Sequence, residues 1–161
     1  MHYVLHMDHR HEAVSRSIHT VQAAAYQQEA ALLKVSFFPP LERTHQDIAR
    51  SNERYLGVFE GTELIGSLSL SPLRSGSGLN IDSLVVLPTH KRKGLATLLL
   101  SEVVAQHGSQ TLTVQTFAKN GPALALYANF GFDEAERVSV GEEMLELVRL
   151  LRLPRSGRGA D

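Results

Sequence analysis

The sequence of 161 residues contains no cysteine. This absence excludes a disulfide framework and a thiol nucleophile. The sequence also lacks a run of about eighteen apolar residues, so it predicts no transmembrane helix. The formal net charge is only −1, which gives the whole molecule no attraction to nucleic acids or to anionic membranes. We therefore expect neither nucleic acid nor membrane among its partners.

The first residues, MHYVLHMDHRHEA, are too polar and too rich in histidine for a signal peptide. We therefore expect a soluble, cytoplasmic protein. Hydrophobic residues make up 43% of the sequence, enough to bury one core. We predict a single domain over residues 1–153 and a disordered tail over residues 154–161, because the closing PRSGRGAD is polar, basic and contains glycine.

Hydrophobic periodicity predicts a mixture of strands and helices. Strands are predicted over residues 3–6, 55–59, 63–70, 79–87, 111–116, 133–140 and 143–153. Helices are predicted over residues 12–33, 41–52, 95–107 and 122–129, and the second is expected to have its cap near Thr44. The segment Glu60-Gly61-Thr62 indicates a hairpin, and residues 71–78 indicate a loop before the next strand of an antiparallel meander. The hydrophobic pattern alone does not decide whether residues 143–153 form a strand or a helix, since their apolar positions also fit a helix. This order predicts a central sheet flanked by helices.

The most informative segment begins with the apolar strand LNIDSLVVL, which Pro88 ends. A basic loop follows, in which Gly94 and the small Ala96 allow the backbone to approach a ligand. Apolar residues then recur at helical spacing, so the loop leads into the N-terminus of a helix, where unpaired N–H groups bind phosphate. The cations of residues 91–93 add to the positive electrostatic potential at the N-terminus of this helix. They therefore favour a diphosphate over a neutral ligand.

A Lys/Arg triplet by itself is also typical of a solvated loop or a weak nucleic-acid patch. The strand before it and the helix after it favour the phosphate interpretation. The spacing differs from that of nucleotide triphosphatases, Gly-X-X-X-X-Gly-Lys-Ser/Thr, and from that of dinucleotide folds, Gly-X-Gly-X-X-Gly. We therefore expect a different phosphorylated carrier.

Two stretches of this region resemble a known family, the GCN5-related N-acetyltransferases (GNAT). The pyrophosphate loop of that family has the form Arg/Gln-X-X-Gly-X-Gly/Ala, and residues 91–96 read KRKGLA. Lys91 replaces the usual Arg or Gln but keeps a positive charge. The second signature, Asn-X-X-Ala-X-X-Leu-Tyr followed by Gly-Phe, is similar to residues 120–127 and to Gly131-Phe132. The two motifs occur in the family's order and cover roughly a third of the chain.

The resemblance implies an α/β (α+β) fold with a mixed, mostly antiparallel sheet of six to seven strands and about four helices, in which residues 143–153 form a strand. It implies acetyl-coenzyme A as the acyl donor, with its pantetheine arm along the backbone of Leu84 and Val86 and a backbone N–H at the oxyanion. The residues expected to bind coenzyme A are Leu84, Val85, Val86, Lys91, Arg92, Lys93, Gly94, Leu95, Ala96, Thr97, Asn120 and Tyr127.

The resemblance also suggests catalytic roles. Tyr127 stands where many relatives have the acid that protonates the departing thiolate, although a tyrosine after leucine in a helix is also ordinary packing. Asn120 stands where the family binds the pantetheine arm, although asparagine before Gly-Pro is also an ordinary helix cap. Since the chain has no cysteine, an acyl-cysteine intermediate is excluded and direct transfer is expected.

The general base is less well defined by the sequence. An amine with a pKa of about 10 is mostly ammonium at neutral pH, so another group must accept its proton. Asp82 lies two residues before Leu84, on the same predicted strand face, at a position from which some relatives supply this group. It also fits the role of a capping or edge residue. Glu42 is a second candidate for the base. The neighbouring segment FFPPL, residues 37–41, fits either the lining of an acceptor pocket or the hydrophobic core, and we prefer the core.

Four histidines and an aspartate crowd the first eleven residues: His2, His6, Asp8, His9 and His11. No recognised zinc spacing such as His-Glu-X-X-His is present. We therefore predict that these residues are solvated and that the protein holds no metal.

The sequence supports two main functional hypotheses. The first is an enzyme that transfers an acetyl group to a primary amine of a small molecule or a protein. The second is a non-catalytic module that senses acyl-coenzyme A through a partner, and Tyr127 favours the enzyme. Nucleic-acid binding by residues 91–93 is a third idea, which the net charge disfavours. The sequence leaves the acceptor open, and the resemblance allows a homodimer.

Overall fold

The computed structural model of the protein describes residues 1–155. The last part of the predicted disordered tail, residues 156–161, therefore lies outside the described residues. Its first two residues, Pro154 and Arg155, are described, and the Arg155 N–H donates a hydrogen bond to the carbonyl of Gly108 at 2.9 Å.

The described residues form seven strands and four α-helices. The strands are β1 His2–Met7, β2 Arg54–Glu60, β3 Glu63–Pro72, β4 Gly78–Val86, β5 Thr111–Phe117, β6 Asp133–Val140 and β7 Leu145–Arg152. The helices are α1 Glu12–Leu33, α2 His45–Arg50, α3 Leu95–His107 and α4 Gly121–Asn129. Two short 3₁₀ turns span Pro39–Glu42 and Pro88–His90.

The strands form one sheet in the order β1-β2-β3-β4-β5-β7-β6. Strand β2 pairs antiparallel with β1 and β3, and β7 pairs antiparallel with β5 and β6. Strand β4 pairs with β5 in parallel, as the crossover through α3 requires. The predicted α+β class with a mixed, mostly antiparallel sheet is confirmed.

The predicted helix over residues 41–52 is wrong in its extent. Pro39–Glu42 is a separate 3₁₀ turn, and α2 covers only six residues, His45–Arg50. The cause is a capping box at Thr44, whose hydroxyl accepts from the N–H of Asp47 while the Asp47 carboxylate accepts from the N–H of Thr44. These two bonds define a new helix start, so the turn before it cannot belong to the same helix.

Two other boundaries differ from the sequence prediction. The predicted loop over residues 71–78 is shorter, because β3 continues to Pro72 and the Leu73 N–H donates to the carbonyl of Gly78 at 2.9 Å. The last strand starts at Leu145, because Gly141 (φ 75°) and Met144 (φ 51°) form a left-handed turn before it. Pairing with β5 on one side and β6 on the other makes this segment a strand.

The chain divides into two compact units. The first consists of Met1–Leu70 and Ser83–Glu102. Its core joins apolar side chains of α1 and α2 to those of the strands, namely Ile18, Val21, Ala25, Ile48, Tyr55, Leu64 and Val85. Phe38 is also buried, as the core interpretation of residues 37–41 predicts, but Phe37 is 63% exposed and that part of the prediction is wrong.

The second unit consists of Ser71–Asp82 and the residues from Val103 onward. Its buried apolar residues are Leu79, Ile81, Val103, Leu112, Val114, Tyr127, Phe132, Val148 and Leu150. Arg152 is buried among them and donates to the carbonyls of Phe130 (2.8 Å) and Gly108 (3.2 Å). These carbonyls follow the last residues of α4 and α3, where a cation is favourable.

The prediction of a single domain over residues 1–153 stays a prediction. None of the helices among residues 1–155 is long and apolar enough to cross a membrane.

Candidate active site

Strand β4 carries the predicted pantetheine edge. Its side chains alternate, with Ser83 and Val85 buried and Leu84 and Val86 half-buried. The parallel pairing with β5 matches Gly78–Ile81 to Thr111–Val114 and stops there. This ladder therefore reaches neither Leu84 nor Val86, the two residues whose peptide groups the sequence assigns to a ligand.

The basic loop after β4 has an unusual backbone. Arg92 (φ 66°) and Gly94 (φ 75°) both adopt left-handed conformations on either side of Lys93. Such a conformation costs a non-glycine residue about 1 kcal/mol. It also turns successive N–H groups towards one side, which is the geometry of an anion-binding nest. The side chains of Lys91, Arg92 and Lys93 are all exposed.

The loop leads directly into α3. The N–H of Leu98 donates to the carbonyl of Gly94 at 3.0 Å, so this bond starts the helix. The N–H groups of Leu95, Ala96 and Thr97 precede it and have no intrahelical acceptor. Leu95 is buried and anchors the helix end, while a Cβ at Gly94 would meet no atom within 4 Å. The predicted phosphate-binding residues are therefore gathered at one open, positively charged helix end.

The second motif begins with Asn120, the N-cap of α4. Its side-chain oxygen accepts from the N–H of Ala123 at 3.3 Å, and Pro122 occupies the first turn, where its missing N–H has no cost. The capping interpretation of Asn120 is thus confirmed. Its role towards a pantetheine arm stays a prediction.

The Gly-Phe pair of this motif ends α4 with a Schellman cap. The N–H of Gly131, in a left-handed conformation (φ 87°), donates to Ala128, and the N–H of Phe132 donates to Tyr127, both at 3.0 Å. This geometry places the Phe132 ring against the Tyr127 ring, with centroids 5.4 Å apart and planes at 64°. Tyr127 is only 4% exposed. The motif therefore fixes the orientation of one buried tyrosine.

Comparison with known proteins identifies the family of these motifs. The sequence model of the acetyltransferase (GNAT) family matches residues 18–132, which include both motifs. The chain belongs to the GNAT family. The match confirms the resemblance noted from the sequence.

A curated relative matches most of this chain. The UPF0157 protein YqkA of Bacillus subtilis (strain 168) is 32% identical over 140 residues, which cover 86% of this chain. The chain spans 40% of the length of that relative. The fold of this chain is also found in solved structures, as the following comparisons show.

Two solved structures illustrate the likeness of the fold. The ribosomal-protein-S18-alanine N-acetyltransferase from Escherichia coli is 16% identical, with a TM-score of 0.73 over 96% of this chain and 94% of that one. The acetyltransferase yncA from Salmonella typhimurium, solved with its cofactor acetyl-CoA, is 17% identical, with a TM-score of 0.75 over 95% and 94%. At these identities, both share the GNAT fold with this chain.

The structure divides the sequence-predicted residues between the two units. Residues 84–86 and 91–97 lie in the first unit, whereas Asp82, Asn120 and Tyr127 lie in the second. Within the first unit, the predicted pantetheine edge and the predicted phosphate-binding loop are consecutive. Within the second, the cap and the tyrosine belong to one helix.

Asp82, the first candidate base, is exposed at β4. It accepts a hydrogen bond from the amide nitrogen of Asn80 at 2.8 Å, and the amide oxygen of Asn80 accepts from Thr113 at 2.7 Å. Thr113 thereby sets the orientation of the amide, and the amide orients the carboxylate. Glu42, the second candidate, is exposed on the 3₁₀ turn before α2.

A carboxylate that the sequence analysis missed lies inside the first unit. Glu53 accepts from Arg43 at 2.6 Å, from the Ser51 hydroxyl at 3.0 Å and from the Ser69 hydroxyl at 2.7 Å. Its side chain is 17% exposed. Burial alone would raise the pKa of Glu53, but the hydrogen bonds from Arg43 and Ser69 and the charge of Arg43 together lower it. Glu53 is therefore ionised at neutral pH.

Tyr55 borders the same carboxylate, with its hydroxyl 3.5 Å from Glu53. Burial and the charge of Glu53 raise the pKa of Tyr55 to about 12, so its phenol stays protonated. The one sequence signal for this cluster is the run SLSLS in β3, whose alternate serines face one side of the sheet. Serines on a face that packs against helices need buried partners.

The N-terminal histidines do not come together as one cluster. His9 is buried, with its Nε2 2.8 Å from the carbonyl of Ser51 and its ring 4.7 Å from that of Tyr55. The prediction that all these histidines are solvated is therefore wrong for His9. His11 pairs with Asp8 at 3.2 Å on the surface.

One group among residues 1–155 has the donor atoms for a metal. The ligand atoms of Glu60, Glu63 and His90 lie within 4.8 Å of one another, and His2 lies 3.1 Å from Glu60. Hydrogen bonds from His2 and His90 lower the pKa of Glu60. Glu60 and Glu63 are exposed, and such groups are common without a cation. The absence of a metal stays a prediction.

The lowered pKa of Glu53 predicts how stability depends on pH. A carboxylate with a folded-state pKa below its unfolded value contributes stability above the unfolded value and loses it as the pH falls through the folded one. Glu53→Gln should therefore lower the free energy of unfolding by about 2 kcal/mol at neutral pH, and by less at acid pH, where the parent loses the same contribution. Urea unfolding at both pH values measures this difference.

Glu12→Gln is the matched control, because Glu12 pairs with Arg16 at 2.8 Å on the exposed face of α1. Exposed pairs contribute little, so this variant should unfold like the parent at both pH values. A Glu53→Gln variant with the same loss of stability at neutral and acid pH would contradict the interpretation.

Proposed function

We propose that this protein transfers an acetyl group from acetyl-coenzyme A to a primary amine by direct attack through a tetrahedral intermediate. The observation that carries the proposal is the loop that joins β4 to α3. Three exposed cations, two left-handed residues and three N–H groups without intrahelical acceptors converge there. A diphosphate matches this combination of charge and N–H donors.

The residues of the loop fit the diphosphate of coenzyme A. Gly94 presents no side chain and leaves open space at its Cβ position, so oxygen atoms can approach the backbone. Lys91, Arg92 and Lys93 supply charge without occupying that space. Lys91 replaces the usual Arg or Gln of the family, and the backbone donors that follow it do not depend on this identity.

The strand before the loop suits the pantetheine arm. The ladder of β4 with β5 ends at Ile81, and an extended arm can pair with strand edges as another strand does. We assign this pairing to Leu84 and Val86, and we assign the oxyanion contact to a backbone N–H of the same segment.

The transfer forms one bond and breaks another. The amine nitrogen attacks the thioester carbonyl, the C–N bond forms and the C–S bond breaks. The amine loses a proton, for which we propose Asp82 as the acceptor, and the leaving thiolate gains a proton, for which we propose Tyr127 as the donor. The absence of cysteine supports direct transfer, since no thiol is available to carry the acetyl group.

The nature of the acceptor follows from relatives only at the level of chemical class. The Escherichia coli relative acts, by its name, on the alanine of ribosomal protein S18. A primary amine is therefore the acceptor class that we propose for this chain. A sensor that binds acyl-coenzyme A without turnover is the second candidate, and the buried, ordered Tyr127 favours the enzyme.

The loop assignment predicts that Gly94→Glu abolishes acetyl-coenzyme A binding. The new carboxylate would repel the diphosphate, and a side chain at φ 75° would strain the backbone. We expect affinity in calorimetric titration to fall by about a hundredfold or more. Dephospho-coenzyme A and free coenzyme A, titrated into the parent, separate the contributions of the ribose 3′-phosphate and the acetyl group, and both retain the diphosphate.

Gly76→Glu is the matched control for this titration. Gly76 has nearly the same backbone conformation (φ 78°) and equally open space, but it lies outside the β4–α3 loop. It should leave affinity unchanged. Parent-like affinity in Gly94→Glu would overturn the loop assignment.

The assignment of Tyr127 as the acid predicts that Tyr127→Phe lowers kcat by about a hundredfold to ten-thousandfold, the scale of general acid catalysis. Affinity for acetyl-coenzyme A should stay near that of the parent, because phenylalanine keeps the ring that contacts Phe132. Thiol release with a panel of primary amines measures kcat. An unchanged kcat would assign Tyr127 to packing, whereas a parent that binds the thioester without turnover would support the sensor.

The assignment of Asp82 as the base predicts a change in the pH–rate profile. In the parent, kcat/KM should fall on the acid side as the base becomes protonated. In Asp82→Asn that acid limb should disappear and the rate at neutral pH should fall. Glu42→Gln is the control, since Glu42 is the other sequence-predicted candidate. If Asp82→Asn keeps the parental profile and Glu42→Gln loses the limb, the two assignments must be exchanged.

A further inference from the structure

An open cavity of about 300 Å³ lies on the sheet of the second unit, and strands β4, β5, β6 and β7 all line it. The strand register matches Gln115 of β5 with Arg149 of β7, and Arg149 with Glu136 of β6. These polar side chains therefore form a row across three strands. Asn80 of β4 also lines the cavity. The volume is at the lower end of the range for small-molecule sites.

The proposed base borders this cavity. The amide nitrogen of Asn80 donates to the carboxylate of Asp82 at 2.8 Å, and the hydroxyl of Thr113, which also lines the cavity, donates to the amide oxygen of Asn80 at 2.7 Å. Asp82 therefore lies one hydrogen bond away from the lining. A small molecule in the cavity can place an amine beside the group that we propose as the acceptor of its proton.

The guanidinium of Arg149 is held in a fixed orientation over the strands. Its Nε–H donates to the amide oxygen of Gln115 at 3.3 Å, and its Nη1 donates to the carboxylate of Glu136 at 3.0 Å. The side chain is nevertheless half-exposed, so a ligand can reach it. A guanidinium that is already oriented loses less side-chain entropy when it binds a ligand.

The same two hydrogen bonds leave donors unused. Among residues 1–155, neither the Nη2 of Arg149 nor the amide nitrogen of Gln115 has a hydrogen-bond partner. Both groups can only donate, and a carboxylate, with two oxygens that accept, complements them. An ammonium group also can only donate, so it cannot bind there. Glu136 balances the charge of Arg149, so the unused donors, rather than net charge, select the ligand.

We infer that the substrate acetylated by this protein is a small amino acid, whose carboxylate binds Arg149 and Gln115 and whose amine lies beside Asp82. The inference rests on the proposed function and adds to it the chemical class of the second substrate. The apolar side chains of Ala135 and Leu151 also line the cavity, which suits an amino acid with an apolar side chain.

The test compares each amino acid with the amine that lacks only its carboxylate. Thiol release is measured with L-leucine and isoamylamine, with L-valine and isobutylamine, and with the diamine putrescine. In each pair we expect kcat/KM of the parent to be about tenfold or more higher for the amino acid, a difference typical of hydrogen bonds to a charged group. A parent that prefers the amines without a carboxylate would overturn the inference and leave the proposed function standing.

Variants of two arginines locate the preference. Arg149→Gln should raise the KM for L-leucine about tenfold or more and change that for isoamylamine little, whereas Arg149→Lys should recover part of the loss. Arg137→Gln is the matched control, because Arg137 forms similar exposed ion pairs with Glu134 (2.8 Å) and Glu146 (2.7 Å) but does not line the cavity. It should resemble the parent. Equal effects of Arg149→Gln on L-leucine and isoamylamine would overturn the inference.

Titration with acetyl-coenzyme A separates this inference from the proposed function. A parent that does not bind acetyl-coenzyme A would overturn the proposed function and this inference with it. If the parent binds it but acetylates none of the five amines, L-leucine is titrated into the protein saturated with coenzyme A. Binding that Arg149→Gln weakens and Arg137→Gln does not supports the carboxylate site. Binding that both variants leave unchanged, or no binding in the parent, overturns that site alone.

Discussion

The half-buried carboxylate of Glu53 is the constraint on which the interior of the first unit depends. An ionised group away from water is costly unless donors surround it. Arg43, Ser51 and Ser69 meet this demand from the segment before α2, the segment before β2 and strand β3. Ser69 then contacts Ser83 on β4. One charge thus determines where several separate segments must lie, and it fixes a polar group beside the strand that we assign to the acyl donor.

The proposed phosphate-binding loop between β4 and α3 depends on a different principle, since backbone groups supply most of the N–H donors that we assign to it. The left-handed conformations of Arg92 and Gly94 orient the peptide groups, and the start of α3 leaves three N–H groups unpaired. The side chains of residues 91–93 add positive charge to the loop, but they do not determine the conformation of its backbone. This explains how Lys91 can occupy a position where the family usually has Arg or Gln. A glycine is needed where the backbone turns, whereas the cation before it needs only its charge.

Sequence patterns predicted the strands, helices and turns well where residues close along the chain determine the structure. The hairpin at Glu60-Gly61-Thr62 and helix α3 follow from turn residues and from apolar spacing. The predicted cap near Thr44 is confirmed, but the start of α2 was placed too early, because the two hydrogen bonds of that capping box outweigh the periodicity that continues through Leu41. The exposed Phe37 beside the buried Phe38 shows the same limit, since two adjacent aromatic residues cannot be told apart before their neighbours are known.

The sequence by itself determined the family, the basic loop, the cap at Asn120 and the Gly-Phe end of α4, because each is a local arrangement of residues close along the chain. Only the tertiary structure decided that Glu53, Ser69 and Ser83 form one hydrogen-bonded chain, and that His9 is buried against Tyr55. These residues are separated in sequence by other elements, and apart from the run SLSLS in β3 nothing in their local pattern distinguishes them from solvated polar residues. Their partners come from the register of β2, β3 and β4, and that register requires long-range pairing that no short segment encodes.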